Sequence, residues 1–400
     1  MSKKLTVAII GCGNFACHFV PLFKVHPSVE KVYVCDLIPE KAQSYAEKFD
    51  VPVIPSFEDA LADDSINCIA NFTQRHLHGE IVIRALKAGK HVYSAVPMAP
   101  TVEECGEIVR LVQKTGLTYL MGETCYYYPC AMFCRETYQK GLFGDFTYGA
   151  SQYYHHIDSI SYGKRPGEGG MPPLLYPTHS TAMLLSAVGS YAKKVVCFGY
   201  KDKTSDGRFG KGCNFWDNEY SNQYTMMLLE NGGTARITEA RTFGWMKPSS
   251  YISALYGTKA GYEFSNAQHI LVEKLDGDKE RVNLTDVSDY VNTEGMVKNK
   301  SLPDFKNRVA NNEWQWAEVA QVQRAEMSRL PESYAAEPNG HMATHKLLVD
   351  DFCTAAYTGK MPILNAWNAA RWTVPGLVAI ESCNAGGVTM DIPDFGEAPI

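Results

Sequence analysis

The stretch LTVAIIGCGNFA, residues 5–16, constrains the chain more than any other. Leu5 to Ile10 form an apolar run broken only by Thr6, as a strand buried on both faces does. The run ends in Gly11-Cys12-Gly13-Asn14-Phe15-Ala16, a G-x-G-x-x-A pattern placed where apolar spacing turns helical. In such a turn the first glycine makes the bend and the second lets backbone approach a pyrophosphate. The small sixth residue allows helix and strand to pack closely, and the helix N-terminus favours an anion. A second apolar run, VEKVYVC, closes on Asp36, about 20 residues downstream, where this fingerprint places an acid on a ribose 2′-hydroxyl. A carboxylate there repels a 2′-phosphate. Gly11, Gly13, Asn14, Phe15, Ala16 and Asp36 are therefore read as binding a dinucleotide, NAD in preference to NADP.

The strand and helix patterns alternate to about residue 124. PEKAQSYAEKF opens with proline and reads as an amphipathic helix, and further helices are expected near 14–25, 77–88 and 101–115. INCIANFT, HVYSAVP and LTYLMGE supply three more strands, and VPVIP a possible edge strand. Such alternation predicts a doubly wound parallel sheet. In that sheet, strand ends line the nucleotide crevice. Asn71, Thr73, His76 and His78, beyond the INCIANFT strand, are assigned to the ribose and nicotinamide side, with helix capping by Thr73 as a concurrent role. After residue 145 the texture becomes aromatic and alternating. FTYGASQYYHH, VVCFGY, NQYTMMLLE, GGTARITEAR, YISALYGT and GYEFS read as strands of a large, mainly antiparallel sheet, with helices near 178–189 and 341–358 and a hairpin turn at NGGT. The expected fold class is thus α/β in two domains, a Rossmann domain over 1–124 and a substrate-binding α/β domain over 125–400. Helices from about 341 are allowed to pack back on the first domain. Residues 276–335 have no clear period.

Composition narrows the function classes. A chain of 400 residues with net charge −6 has no basic footprint for nucleic acid. No apolar run is long enough to span a bilayer, and the run after Lys3 and Lys4 is too short for a signal peptide, so a cytoplasmic protein without a membrane partner is expected. The 12 cysteines are scattered, as reduced thiols are. Cys125, Cys130 and Cys134 read as helix-face packing rather than zinc ligands. His341 and His345, four apart in HMATH, lack the glutamate of a zincin motif, so no metal is assigned. His341 is read as lining the substrate pocket, with surface exposure an open alternative for His345.

GCGNFA, the Asp36 strand end, NFTQRHLHGE and GKHVYSAVPMAP fall in an order that resembles the Gfo/Idh/MocA oxidoreductases over essentially the whole chain. Most dehydrogenases of that family carry Glu-Lys-Pro where this chain has Ala95-Val96-Pro97, so Val96 removes their proton-handling lysine. Ala95 and Val96 are then expected to form an apolar floor beside the nicotinamide, with Val96 and Pro97 counted in the cofactor site. LMGETCYYYP, KGLFGDFTYGASQYYHH, LLYPTHSTAML and NAWNAARWTVPGLVAIES resemble segments of glycoside hydrolase family 109, most closely at Tyr176-Pro177-Thr178-His179. The resemblance implies a redox-neutral glycosidase with bound NAD. Oxidation at C3 of the sugar acidifies the C2 proton, the aglycone is eliminated, water adds, and the hydride returns. It also implies roles for Glu123 near the nicotinamide, for a Tyr-x-His element, and for Lys164 and Arg165 against substrate.

That chemistry needs bases at the C3 hydroxyl and at C2, and an acid at the glycosidic oxygen. His179 and Tyr176, three apart at a helix start, can share one pocket, and histidine accepts protons near neutrality. The Tyr-x-His register is open between Tyr154 with His156 and Tyr153 with His155. The catalytic set is taken as His179, Tyr176, Tyr154, His156 and Glu123, with His155 assigned to substrate. Only one of His155 and His156 can face the site if both lie in a strand. Two other readings stand beside the glycosidase: a net NAD-dependent sugar or polyol dehydrogenase, and a non-catalytic sugar or nucleotide sensor. A carbohydrate or glycoside is the expected partner, and the resemblance implies a homo-oligomer.

Overall fold

The computed structural model describes residues 4–155, 169–204, 207–242, 249–265, 268–275, 282–291 and 319–399. The chain divides into two compact units. The first comprises 1–123, 325–370 and 395–400, and the second comprises 124–324 and 371–394.

The first unit is built on five parallel strands, β1 (Leu5–Ile10), β2 (Val29–Cys35), β3 (Cys68–Asn71), β4 (His91–Ser94) and β5 (Tyr119–Met121), in the order β2-β1-β3-β4-β5. The order reverses between β1 and β3, which opens a crevice at their C-terminal ends. Every residue of β1 and β3 is buried, the polar Thr6 and Asn71 included. The helices α1 (Val20–Val25), α2 (Pro39–Phe49), α3 (Phe57–Ala62), α4 (His78–Lys87) and α5 (Val102–Thr115) connect them. Thr101 caps α5 by accepting from the Glu104 N–H at 3.2 Å. The VPVIP segment adds only a parallel bridge, Val53 to Val34.

In the second unit, α6 (Pro129–Gln139) and α7 (Thr178–Val188) cover one face of a nine-stranded sheet. Its strands are β6 (Phe146–Tyr154), β7 (Ala192–Lys201), β8 (Tyr220–Leu229), β9 (Thr234–Ala240), β10 (Ser250–Gly257), β11 (Ala260–Phe264), β12 (His269–Lys274), β13 (Val282–Asp286) and β14 (Met390–Asp391). The order is β13-β12-β11-β10-β6-β9-β8-β7-β14, antiparallel except for the β6–β9 pair. Almost every residue of α7 is buried, including its polar first turn, so this helix belongs to the core. Gly149 of β6 makes room for it, because a Cβ there would stand 2.6 Å from the Leu184 side chain. On the other face, Phe198 is 62% exposed, and Tyr224, Met226 and Leu228 are exposed beside it. No helix among the described residues is long and apolar enough to cross a membrane.

The structure departs from or settles these readings in three places. The helix expected over 341–358 is regular only over α8 (His345–Thr358), because His341, Met342 and Ala343 are left-handed, with φ of 47°, 56° and 62°. Each such residue costs about 1–2 kcal/mol of backbone strain. Asn339 brackets the turn by donating to the Ala343 carbonyl at 2.9 Å and accepting from the Lys346 N–H at 3.1 Å. His345 is fully buried rather than at the surface, with its Nε2 2.8 Å from His341 Nδ1 and its ring 4.4 Å from the Phe19 ring. A helix not foreseen, α9 (Ala366–Asn384), runs through Pro375.

Burial, with His341 and His18 adding to it, holds the pKa of His345 well below the ordinary imidazole range. The unfolded chain therefore binds a proton below about pH 6.5 that the folded chain refuses. Stability is expected to fall as pH drops from 6.5 toward 5, by up to about 1.4 kcal/mol per pH unit from this residue. Denaturant unfolding of wild type and His345→Leu across that range checks it; equal slopes would contradict the assignment.

Candidate active site

The glycine turn after β1 is held at the switch point by backbone on both sides. Gly11 N–H donates to the Cys35 carbonyl at 2.8 Å, and Phe72 N–H to the Ile10 carbonyl at 2.8 Å. Gly11 has φ +96°, and a Cβ there would stand 2.7 Å from the Phe72 carbonyl oxygen, so only glycine fits. A Cβ on Gly13 would meet nothing within 4 Å, which leaves the outer side of the turn as open backbone. Tyr45 of α2 donates its hydroxyl to the Gly13 carbonyl and fastens the turn from behind. The Asp36 carboxylate accepts from the Cys12 N–H at 2.8 Å and from the Ile38 N–H at 2.9 Å. It thus ties the end of β2 to the glycine turn. Phe15 packs on Phe19, Phe72 and His341, and the buried Ala16 lets the first helical turn approach the sheet. The open backbone cradle and the acid beside it fit a dinucleotide's pyrophosphate and ribose.

Two residues assigned from sequence to the cofactor are committed to the protein instead. Asn71 is fully buried, donates to Ser94 Oγ at 3.1 Å and accepts from the Thr73 hydroxyl at 2.7 Å. The buried His78 ring places Nδ1 2.8 Å from the Pro97 carbonyl and Nε2 3.2 Å from the Thr73 carbonyl. Both side chains therefore help shape the crevice. His78 clasps the Val96-Pro97 turn, whose peptide bond is cis, to the end of β3. Thr73 and His76 are half-buried at the rim. Val96 is buried and apolar, and Glu123, fully buried, follows β5. Burial, reinforced by Glu123, pushes the Tyr93 phenol well above its usual range. His341 stands edge-on to Phe15, 5.4 Å between ring centres, and so lies beside the glycine turn.

The second unit resolves the Tyr-x-His register. Successive strand residues point to opposite faces. Tyr153 lies on the α7 side of β6, its ring 4.9 Å from His179 and 6.0 Å from Tyr176. His155 stacks on Tyr153 at 5.6 Å and 13°, and the Tyr176 and His179 rings meet edge-on at 4.8 Å. Tyr154 lies on the opposite face against Tyr251, and burial is the main cause that pushes its phenol up to about 12. Of the two registers left open, Tyr153 with His155 lies on the face that carries His179, whereas Tyr154 of the assigned catalytic set faces Tyr251. His156, Lys164 and Arg165 lie outside the described residues.

Sequence reasoning missed Glu239 and Arg241. Tyr153 pairs in register with Glu239, so both project to the α7 side, and Arg241 follows two residues on. Two charges at period two beside the apolar Ala235 and Ile237 were the available signal.

Residues 5–123 match the oxidoreductase family with an NAD-binding Rossmann fold, Gfo/Idh/MocA. Residues 5–123 accordingly form an NAD-binding Rossmann domain. Among curated relatives, a glycosyl hydrolase family 109 protein of Streptomyces filamentosus is 24% identical over 97% of this chain and 77% of the relative. The 2,7-anhydro-N-acetylneuraminate hydratase of Escherichia coli is 21% identical over 71% of this chain and 78% of its own. Levoglucosan dehydrogenase shares the fold with a TM-score of 0.72 at 18% identity, covering 98% of this chain and 99% of that one. It has also been solved in complex with NADH and levoglucosan, where the TM-score is 0.71.

Proposed function

We propose that this protein is an NAD-dependent enzyme acting on a carbohydrate, and that it cleaves a glycoside without net oxidation. The carrying observation is the Tyr153, His155, Tyr176 and His179 cluster, which offers several proton-handling groups where one base would serve a simple dehydrogenase. Val96, apolar where a lysine is expected, agrees with proton transfer being placed on that cluster. Bound NAD would supply a hydride acceptor and donor for a sugar ring carbon, C3 favoured, and the Gly11–Ala16 turn and Asp36 would hold its pyrophosphate and ribose. In this reading His179 takes the proton of the hydroxyl being oxidised. Tyr153 and Tyr176 serve the C2 proton and the leaving oxygen, His155 orients Tyr153, and Glu123 acts beside the nicotinamide. Relatives named as a family 109 glycosyl hydrolase and as a hydratase support a redox-neutral outcome. The likeness to levoglucosan dehydrogenase favours the second reading, a net sugar dehydrogenase.

A panel of aryl glycosides separates the two. Aglycone release without added NAD and without net NADH is expected, whereas stoichiometric NADH without aglycone would establish the dehydrogenase. His179→Ala is expected to lower turnover by about a hundredfold or more while retaining NAD, because it removes a general base; unchanged turnover would remove His179 from the mechanism. We also propose self-association through the apolar outer face of β7 and β8 around Phe198 and Met226. Sedimentation velocity tests this, and a single-chain species at micromolar concentration would contradict it.

A further inference from the structure

An ion pair lies buried against the Tyr153, Tyr176 and His179 cluster. Arg241 Nη2 donates to Glu239 at 3.1 Å, and their side chains are 4% and 0% exposed. Desolvating two such charges is costly unless their remaining hydrogen-bonding groups are also satisfied. Each end of this pair is engaged, and each engagement reaches a segment that carries the cluster. The second Glu239 oxygen accepts from the hydroxyl of Ser180, the residue after His179 in the first turn of α7. Arg241 Nη2 donates to the Pro173 carbonyl at 3.0 Å, and that same carbonyl accepts the Tyr176 N–H at 3.2 Å. The guanidinium carbon lies 5.0 Å from the centre of the Tyr153 ring, where a cation attracts the ring face. Nη1 donates to the Ala240 carbonyl at 3.2 Å.

We propose that Glu239 and Arg241 are positioning residues that fix the mutual orientation of Tyr153, Tyr176 and His179. The inference rests on the reading of that cluster as the place of proton transfer. Neither residue supplies a proton. Their function is to tie three chain segments, β6, the turn at Pro173 and the start of α7, to one rigid charged pair. A guanidinium suits this because its planar fork addresses several acceptors in fixed directions, which a lysine ammonium does not.

The test separates positioning from simple stapling. In the full chain with NAD bound, Arg241→Met and Glu239→Leu are each expected to lower the melting temperature, because each leaves one buried charge alone. The double variant removes both charges and is expected to recover that melting temperature. It is not expected to recover function: kcat on a cleaved glycoside should stay about a hundredfold low with KM little changed, the signature of misplaced catalytic groups. Carbethoxylation of His179 by diethyl pyrocarbonate, followed by peptide mass spectrometry, should also differ severalfold from wild type in the double variant. A double variant that regains both the melting temperature and wild-type kcat and His179 reactivity would overturn the proposal. The His179 readout needs no sugar. If no glycoside is cleaved while that reactivity still changes, only the functional reading fails; if neither occurs, the positioning role fails as well. Should the double variant not fold, Arg241→Lys keeps the charge paired but loses the fork. A fall in kcat at wild-type KM is then expected, and wild-type kcat would overturn the proposal.

Discussion

The close approach of the Gly11 backbone to the Phe72 carbonyl is the contact on which the nucleotide crevice depends. It brings the ends of β1 and β3 together at the point where the strand order reverses. Any side chain at Gly11 would force the two strand ends apart. Asp36 then fixes the turn laterally through the Cys12 N–H, and Tyr45 fixes it from α2 through the Gly13 carbonyl. The Asp36 carboxylate accepts from two backbone N–H groups and keeps lone pairs enough for a ribose hydroxyl as well. The neighbouring wall is made the same way: Asn71 and His78 spend their polar atoms on Ser94, Thr73 and Pro97. The crevice wall is thus shaped by hydrogen bonds within the protein.

Placing apolar Val96 at the end of β4 has a chemical consequence. A side chain without a titratable atom can shape the site but cannot move a proton, so under the proposed function acid and base work falls to other residues. The second unit contains side chains of the right types, gathered on one face of β6 and in the first turn of α7. Their number matters more than any one of them. Hydride removal from an alcohol needs one base, whereas elimination and hydration of the product need further proton transfers.

Much of the first unit was legible in sequence because its signals are local. A continuous apolar run, a glycine pattern and an acid at a fixed spacing each constrain a short stretch of backbone. The second unit was legible as strands but not as a site. The doublets Tyr153-Tyr154 and His155-His156 present the same residue types to both faces, so period-two reasoning cannot choose between them. Only the packing of Gly149 against Leu184 and the pairing of Tyr153 with Glu239 fix which face meets α7. Asn71 and His78 show a further limit, since polarity at a strand end looks the same whether or not it also serves a buried clasp. The regular helix proposed through His341 failed because Asn339 and His345 stabilise a left-handed turn that apolar spacing does not register.

Heavy water provides the most direct measurement. Elimination from a 3-keto sugar requires loss of the C2 proton and its later replacement from solvent. Sugar released by the wild-type chain in deuterium oxide should therefore carry deuterium at C2, with none at C3, where the returning hydride restores the original hydrogen. Cleavage that leaves protium at C2 would contradict the oxidation–elimination route.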